Sequence, residues 1–220
     1  VDEFYSGLLL ACKKYNVDLV GGDTTSSPAG LSISITVLGE CLNEKIVYRS
    51  GAKEKNLICV SGDLGAAYMG LQILEREKQV YLDNPNIQPD LEGNDYILER
   101  QLKPEARKDI IDFFATNGIQ PTSMIDVSDG LASDLIHICQ ESDKGCFLYE
   151  DKIPVDTQTT ERALQFNMDP TLCALSGGED YELLFTLPIE LHDKIVNNPD
   201  ITIIGHITDK NEGLNLISKD

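Results

Sequence analysis

The chain has 220 residues, 41% of them hydrophobic and 25% charged, an ordinary globular composition at a length that can bury a core in one large or two small domains. Thirty-seven acidic against 18 basic residues give a formal charge of −19, a surface expected to repel nucleic acid and anionic membranes; it could attract metal cations, but the plainer reading is a solvated, soluble face. No apolar run reaches about 18 residues and no secretory h-region opens the chain, so neither a transmembrane helix nor a signal peptide is expected.

In chain order, Val1, Phe4, Leu8, Cys12 and Tyr15 recur at helical spacing and predict an amphipathic helix over residues 1–16. The first residue is not methionine, and a natural N-terminus upstream is expected. "VDLV" reads as a strand running into the loop "GGDTTSSPAG". "LSISITVLGE" alternates Leu31, Ile33, Ile35 and Val37 with Ser32, Ser34 and Thr36, predicting a half-buried strand of an antiparallel sheet. The polar stretch "YRSGAKEKN" suggests a boundary, giving domains at 1–50 and 51–220.

Beyond it, "LICVSG" predicts a buried strand, "DLGAAYMGLQILERE" a helix and "QVYLDNPNIQPDLEGND" a loop. Helices are expected at about 92–102 and 104–117, the second opening on Pro104. Strands "SMIDV", "GCFLYE", "YELLFTL" and "ITIIGHI" then alternate with helices "GLASDLIHICQES", "TTERALQFN" and "IELHDKIVN". This alternation is that of an α/β or α+β fold.

Six cysteines, at 12, 41, 59, 139, 146 and 173, form no CxxC pair and mostly sit in apolar runs. Reduced, buried thiols in a cytoplasmic protein are expected. His137, His192 and His206 are scattered, so no histidine metal site or triad is expected.

Four acidic turns carry glycine: "GGDTT" (21–25), "SGDLG" (61–65), "DVSDG" (126–130) and "SGGEDYE" (176–182). Each falls where a strand ends or a helix begins. Glycine lets backbone N–H groups approach an anion, and a helix N-terminus favours negative charge. Aspartates supply the hard oxygens that suit magnesium, which in turn bridges phosphate oxygens. Each turn also has a plainer reading. Asp63 could cap the next helix, "GGDTT" could be only a turn, and Ser128 or Asp129 could cap the helix that follows them. Asp134, at about 100° per residue, is rotated about 140° from Asp129 on an ideal helix, and is expected to point to a helix or loop partner outside the site. Neither a Walker-type loop nor a G-x-G-x-x-G fingerprint nor a protein-kinase motif set is present.

"VGGDTT", "YRSGAK", "SGDLGAA", "QLKPEAR", "IDVSDGLASDL", "SGGEDYELLFT" and "IIGHIT" follow one another in the order and at roughly the spacing of bacterial thiamine-phosphate kinases. The chain resembles that family over nearly its whole length. "GGDTT" alone is shared with other ATP-dependent enzymes of the aminoimidazole ribonucleotide synthetase-like superfamily. The resemblance implies a fold of two α/β domains and a homodimer joined through the N-terminal sheets. It also implies transfer of the γ-phosphoryl group of ATP to thiamine monophosphate, with several magnesium ions and no covalent intermediate.

Carried over by motif, Asp23 resembles a magnesium ligand, with Gly22 beside it at the nucleotide, and Arg49 resembles an arginine that reaches ATP. Asp126 and Asp129 resemble magnesium ligands, Ser128 a nucleotide contact, and Glu179 or Asp180 the acidic contact to the cationic thiamine side. No further catalytic residue is implied. The chain departs from the family at both ends. Upstream metal loops and a C-terminal segment with a substrate-packing aromatic residue are absent, so the N-terminal domain is expected only in part. The alternatives are another enzyme of the superfamily, acting in purine biosynthesis, selenide activation or hydrogenase maturation, and a non-catalytic acidic cation-binding domain.

Overall fold

The computed structural model describes residues 1–218. The chain falls into two units, Val1–Glu44 and a larger one from Lys45 onward. The backbone carbonyl of Tyr48 accepts from Met124 N–H (2.9 Å), so residues 45–50 pack with the second unit.

The first unit carries one helix, α1 (Asp2–Tyr15), which ends on Asn16 in the left-handed conformation (φ 55°). Asparagine tolerates that conformation, and its N–H returns to the Cys12 carbonyl. The strands expected at "VDLV" and over 31–38 do not form. Both segments are unpaired, and Leu31, Ile35 and Val37 stand 90%, 68% and 82% exposed. Alternation specifies which face a strand would bury, but a ladder needs a partner for its N–H and C=O groups. Among the described residues of this unit no second strand is available.

The second unit is a mixed α/β body. Its strands are β1 (Leu57–Ser61), β2 (Ser123–Asp126), β3 (Gly145–Tyr149), β4 (Leu183–Leu187), β5 (Ile201–Thr208) and β6 (Leu214–Ile217). They form one sheet in the order β2-β4-β1-β5-β3-β6, antiparallel except for the parallel β3–β6 pair. The helices are α2 (Ala66–Asp83), α3 (Asp95–Leu102), α4 (Lys108–Asn117), α5 (Leu131–Ser142), α6 (Thr157–Gln165), α7 (Pro170–Ser176) and α8 (His192–Ile195).

β1 is buried on both faces, which is why its sequence is apolar from Leu57 through Val60 rather than alternating. Ile58 and Val60 face a core with Ile125, Leu184 and Ile204 beneath Leu131, Leu135 and Ile138 of α5. Leu57 and Cys59 face the other way, toward Phe185 and Leu187 and the α4 residues Ile110 and Phe114. A third cluster joins Met69 and Ile73 of α2 to Ile97, Ala163 and Cys173. Gly70 permits the α2–α3 approach, since a Cβ there would lie 2.5 Å from the Ile97 carbonyl oxygen.

Several boundaries differ from the sequence reading. α2 continues through Asp83, so "QVYLD" is helical rather than loop, and the helix stops before Pro85, which disfavours helical geometry at Asn84. α4 begins at Lys108 rather than at Pro104, with Arg107 as its non-helical N-cap (φ −79°, ψ 55°). α7 and β6 were not expected.

All six cysteines are free of disulfides, and four of them are buried. Six thiols are therefore expected to react with a thiol reagent in denaturant without reductant. Two or more stable disulfides would contradict this.

Candidate functional site

Strand β2 ends on Asp126, which is exposed, and the chain then turns through Val127, Ser128, Asp129 and Gly130 into α5. A second turn, Gly177–Glu182, lies against the first. Val127 N–H donates to the Glu182 carbonyl (2.8 Å), Tyr181 N–H to the Val127 carbonyl (2.8 Å) and Glu179 N–H to the Ser128 carbonyl (2.9 Å). The fit is close enough to require glycine. A Cβ on Gly178 (φ 69°) would lie 2.4 Å from the Ser128 carbonyl oxygen, and one on Gly130 (φ 109°) 2.7 Å from that of Leu175. Two acidic segments some 50 residues apart are thus one backbone-bonded surface carrying Asp126, Ser128, Asp129 and Glu179.

The capping reading of the first turn is not met, because α5 has no side-chain cap. Asp134, one turn into α5, is 1% exposed and accepts from the N–H groups of Ser128 (3.1 Å) and Asp129 (3.2 Å). It braces the turn from below. The helical-rotation argument did not apply, because Asp129 precedes the first helical residue. Burial raises the Asp134 carboxyl above its usual range, the two N–H groups oppose this, and the charges of Asp129 and Asp126 add to it. The first turn therefore concentrates negative charge.

Asp180 points the opposite way from its neighbour Glu179. Its carboxylate is 1% exposed and accepts from Gly65 N–H (2.8 Å) and Ala67 N–H (3.3 Å), at the N-terminus of α2. It supplies from a distant segment the cap that Asp63 was a candidate to provide. Asp63 instead accepts from the Tyr96 hydroxyl, while Arg100 donates to its carbonyl (3.0 Å).

Glu182, 1% exposed, gathers Arg100 (2.9 Å), Arg107 (2.6 Å) and the Ser61 hydroxyl. This buried set ties the end of β1, α3 and the "PEAR" segment to the second turn. Sequence reasoning assigned Glu182, Arg100, Arg107 and Tyr96 no role; "QLKPEAR" carried Arg107 as a motif without a reason for it.

Desolvation pushes Asp180 up to about 6, with the Gly65 and Ala67 N–H groups opposing. A raised acid contributes its full stability below the unfolded value near 3.9 and loses it as pH rises through the folded value. The wild-type chain is expected to lose a component on the order of 2–3 kcal/mol between about pH 4 and 6 that an Asp180→Asn chain does not lose. Paired denaturation curves across that range check this, and parallel pH profiles would contradict it.

Arg49 is exposed and follows Tyr48, whose carbonyl accepts from β2 on its outer edge. Gly22 and Asp23 are exposed in the first unit, where Asp23 Oδ1 accepts from Thr24 N–H (2.8 Å). Among the described residues no three His, Cys, Asp or Glu side chains converge to hold a metal ion unaided. Magnesium needs no such cage, because it commonly takes one or two carboxylates, water and substrate phosphate oxygens. Two exposed aspartates, Asp126 and Asp129, in a turn that closes on Gly130 fit that donor set.

Residues 1–41 match the model of the AIR synthase related protein N-terminal domain. Hydrogenase maturation protein HypE of E. coli shares the fold at 14% identity and a TM-score of 0.56, covering 78% of this chain and 49% of that one. The chain has the AIR synthase-related fold.

Within that class it is similar to thiamine-monophosphate kinases over nearly its whole length. It is 37% identical over 213 residues to that of Buchnera aphidicola subsp. Schizaphis graminum, covering 93% of this chain and 60% of the relative. It is 33% identical over 214 residues to that of Aquifex aeolicus, covering 97% and 64%. The structure of AaThiL complexed with AMPPCP and TMP superposes at a TM-score of 0.77 with 28% identity, over 98% of this chain and 63% of that one. The chain spans less than two thirds of the length of these relatives.

Proposed function

We propose that the protein carrying this chain transfers the γ-phosphoryl group of ATP to thiamine monophosphate, giving thiamine diphosphate and ADP. The observation that carries this reading is the bonded pair of turns, which sets a metal- and phosphate-suited surface, Asp126, Ser128 and Asp129, beside the exposed carboxylate of Glu179. The relatives named above and the AMPPCP and TMP complex support it. Magnesium would neutralise the phosphate charge and align the transferring group; in the second unit Asp126 and Asp129 would hold it, and in the first unit Asp23 is, by its motif alone, a further proposed magnesium ligand. Ser128 and Arg49 of the second unit would serve the nucleotide, and Gly22 of the first unit is proposed for the same role by its motif alone. Of the two acidic candidates for the thiamine side, Glu179 is the one that faces solvent, while Asp180 holds the start of α2. Carboxylate beside a cationic ring is favourable, and the transfer needs positioning and charge neutralisation rather than a covalent intermediate.

The full-length protein is expected to release ADP only when magnesium and thiamine monophosphate are both supplied. Stimulation by a purine-pathway intermediate in place of thiamine monophosphate would overturn the reading, as would calcium-favouring cation binding with no nucleotide effect. We also propose a homodimer in which the apolar face of residues 31–38 is covered, and a cytoplasmic location consistent with free thiols. Sedimentation of the full-length protein checks the dimer, and a monomer at micromolar concentration would contradict it.

A further inference from the structure

Glu179 and Tyr181 both hold left-handed backbone conformations, φ 62° and 53°. Such values are uncommon for any side chain with a Cβ and strained for a bulky ring. They persist because their surroundings over-determine them. Each N–H is committed to the first turn, at Ser128 and Val127, and the carboxylate of the residue between them is buried at the start of α2. With Asp180 turned inward, both flanking side chains stand in solvent. There the Tyr181 hydroxyl donates to Glu179 Oε2 (2.9 Å), and the phenol lies within electrostatic range of Asp126 and Asp129.

An exposed glutamate samples many rotamers, and ordering it on binding costs affinity. A hydrogen bond from a neighbour fixed by its own backbone removes much of that freedom in advance. It also leaves the other carboxylate oxygen for a ligand.

We propose that Tyr181 is a positioning residue for substrate recognition, held in a strained conformation so that its hydroxyl fixes the Glu179 carboxylate toward the cationic organic part of the phosphorylated substrate. This rests on the functional reading above.

The test uses the full-length protein with thiamine monophosphate and ATP varied separately. Tyr181→Phe is expected to raise KM for thiamine monophosphate about tenfold, with kcat and KM for ATP changed less than about twofold. In a Glu179→Ala background the same substitution is expected to add nothing, because its effect passes through Glu179. Tyr181→Gly is expected to raise the melting temperature by roughly 2 °C while keeping the KM defect. An unchanged KM for Tyr181→Phe overturns the proposal, as do an additive loss in the double variant and a parallel rise in both KM values. A glycine variant no more stable than wild type overturns the strain on which it stands. Wild-type protein inert toward thiamine monophosphate overturns the functional reading and this proposal with it, whereas active wild type with an unaffected Tyr181→Phe overturns this proposal alone.

Discussion

Under the proposed function, Asp126→Asn and Asp129→Asn are each expected to lower turnover of the full-length protein by about 10²–10³, the loss of a few kcal/mol of transition-state stabilisation. Asparagine keeps the shape of the turn and removes one charge from the surface proposed to face metal and phosphate. The fold is expected to hold, because neither side chain caps α5 and both are exposed. Without metal the variants are expected to be as stable as wild type or slightly more so, since relieving charge near the buried Asp134 removes repulsion. Turnover and melting temperature, each with and without magnesium-ATP, form the measurement. Variants with full turnover and wild-type magnesium dependence would defeat the metal reading.

Glu182→Ala is expected to have the largest effect on stability. It strips the shared partner from Arg100 and Arg107, whose side chains are only 17% and 13% exposed, and leaves the Ser61 hydroxyl short of an acceptor. Breaking a buried pair from one side costs about 3–5 kcal/mol, or roughly 10 °C in melting temperature for a chain of this size. Arg107 retains Asp109, so the larger loss falls on Arg100, which keeps the more distant charges of Asp63 and Asp180 and its bond to the Asp63 carbonyl. Replacing Glu182, Arg100 and Arg107 together by leucine or methionine is expected to recover most of the loss, since apolar packing does not carry the desolvation penalty. Urea titration of the three chains checks both halves. A Glu182→Ala chain within about 1 kcal/mol of wild type would show that the set contributes nothing.

The strand and helix order of the second unit was legible because periodicity and continuous apolar runs report burial directly. "LICV" is apolar at every position because both faces of its strand are covered, and α5 was readable from its own apolar stripe. α7 went unread although it carries a start signal: Asp169 caps it, accepting from Thr171 N–H at 2.8 Å, and Pro170 occupies its first turn. Its seven residues are too few for periodicity to register. The strand over 31–38 was misread in the opposite direction, since pattern reports a face and says nothing about a pairing partner.

At the site, the aspartates of the first turn were visible as a cluster. What local sequence could not show was the inward turn of Asp180. Adjacent acidic residues look equivalent in a string, and only the positive φ at Glu179 and the approach of α2 assign them opposite directions. The buried Glu182 set was hidden for the same reason, because its members come from residues 61, 100, 107 and 182.

The order of strands in the sheet has a consequence for how this protein is made. β1 lies at the centre, yet both its neighbours, β4 and β5, are encoded roughly 120 residues or more downstream. At a synthesis rate of about 5–20 residues per second, "LICVS" leaves the ribosome and waits roughly ten seconds before any partner exists. During that interval a mostly apolar, β-prone segment with free backbone groups is offered to every other nascent chain nearby. Its yield in a cell is therefore governed by whatever shields residues 57–61 through that wait, and slowing translation between α2 and β4 works against the fold rather than for it.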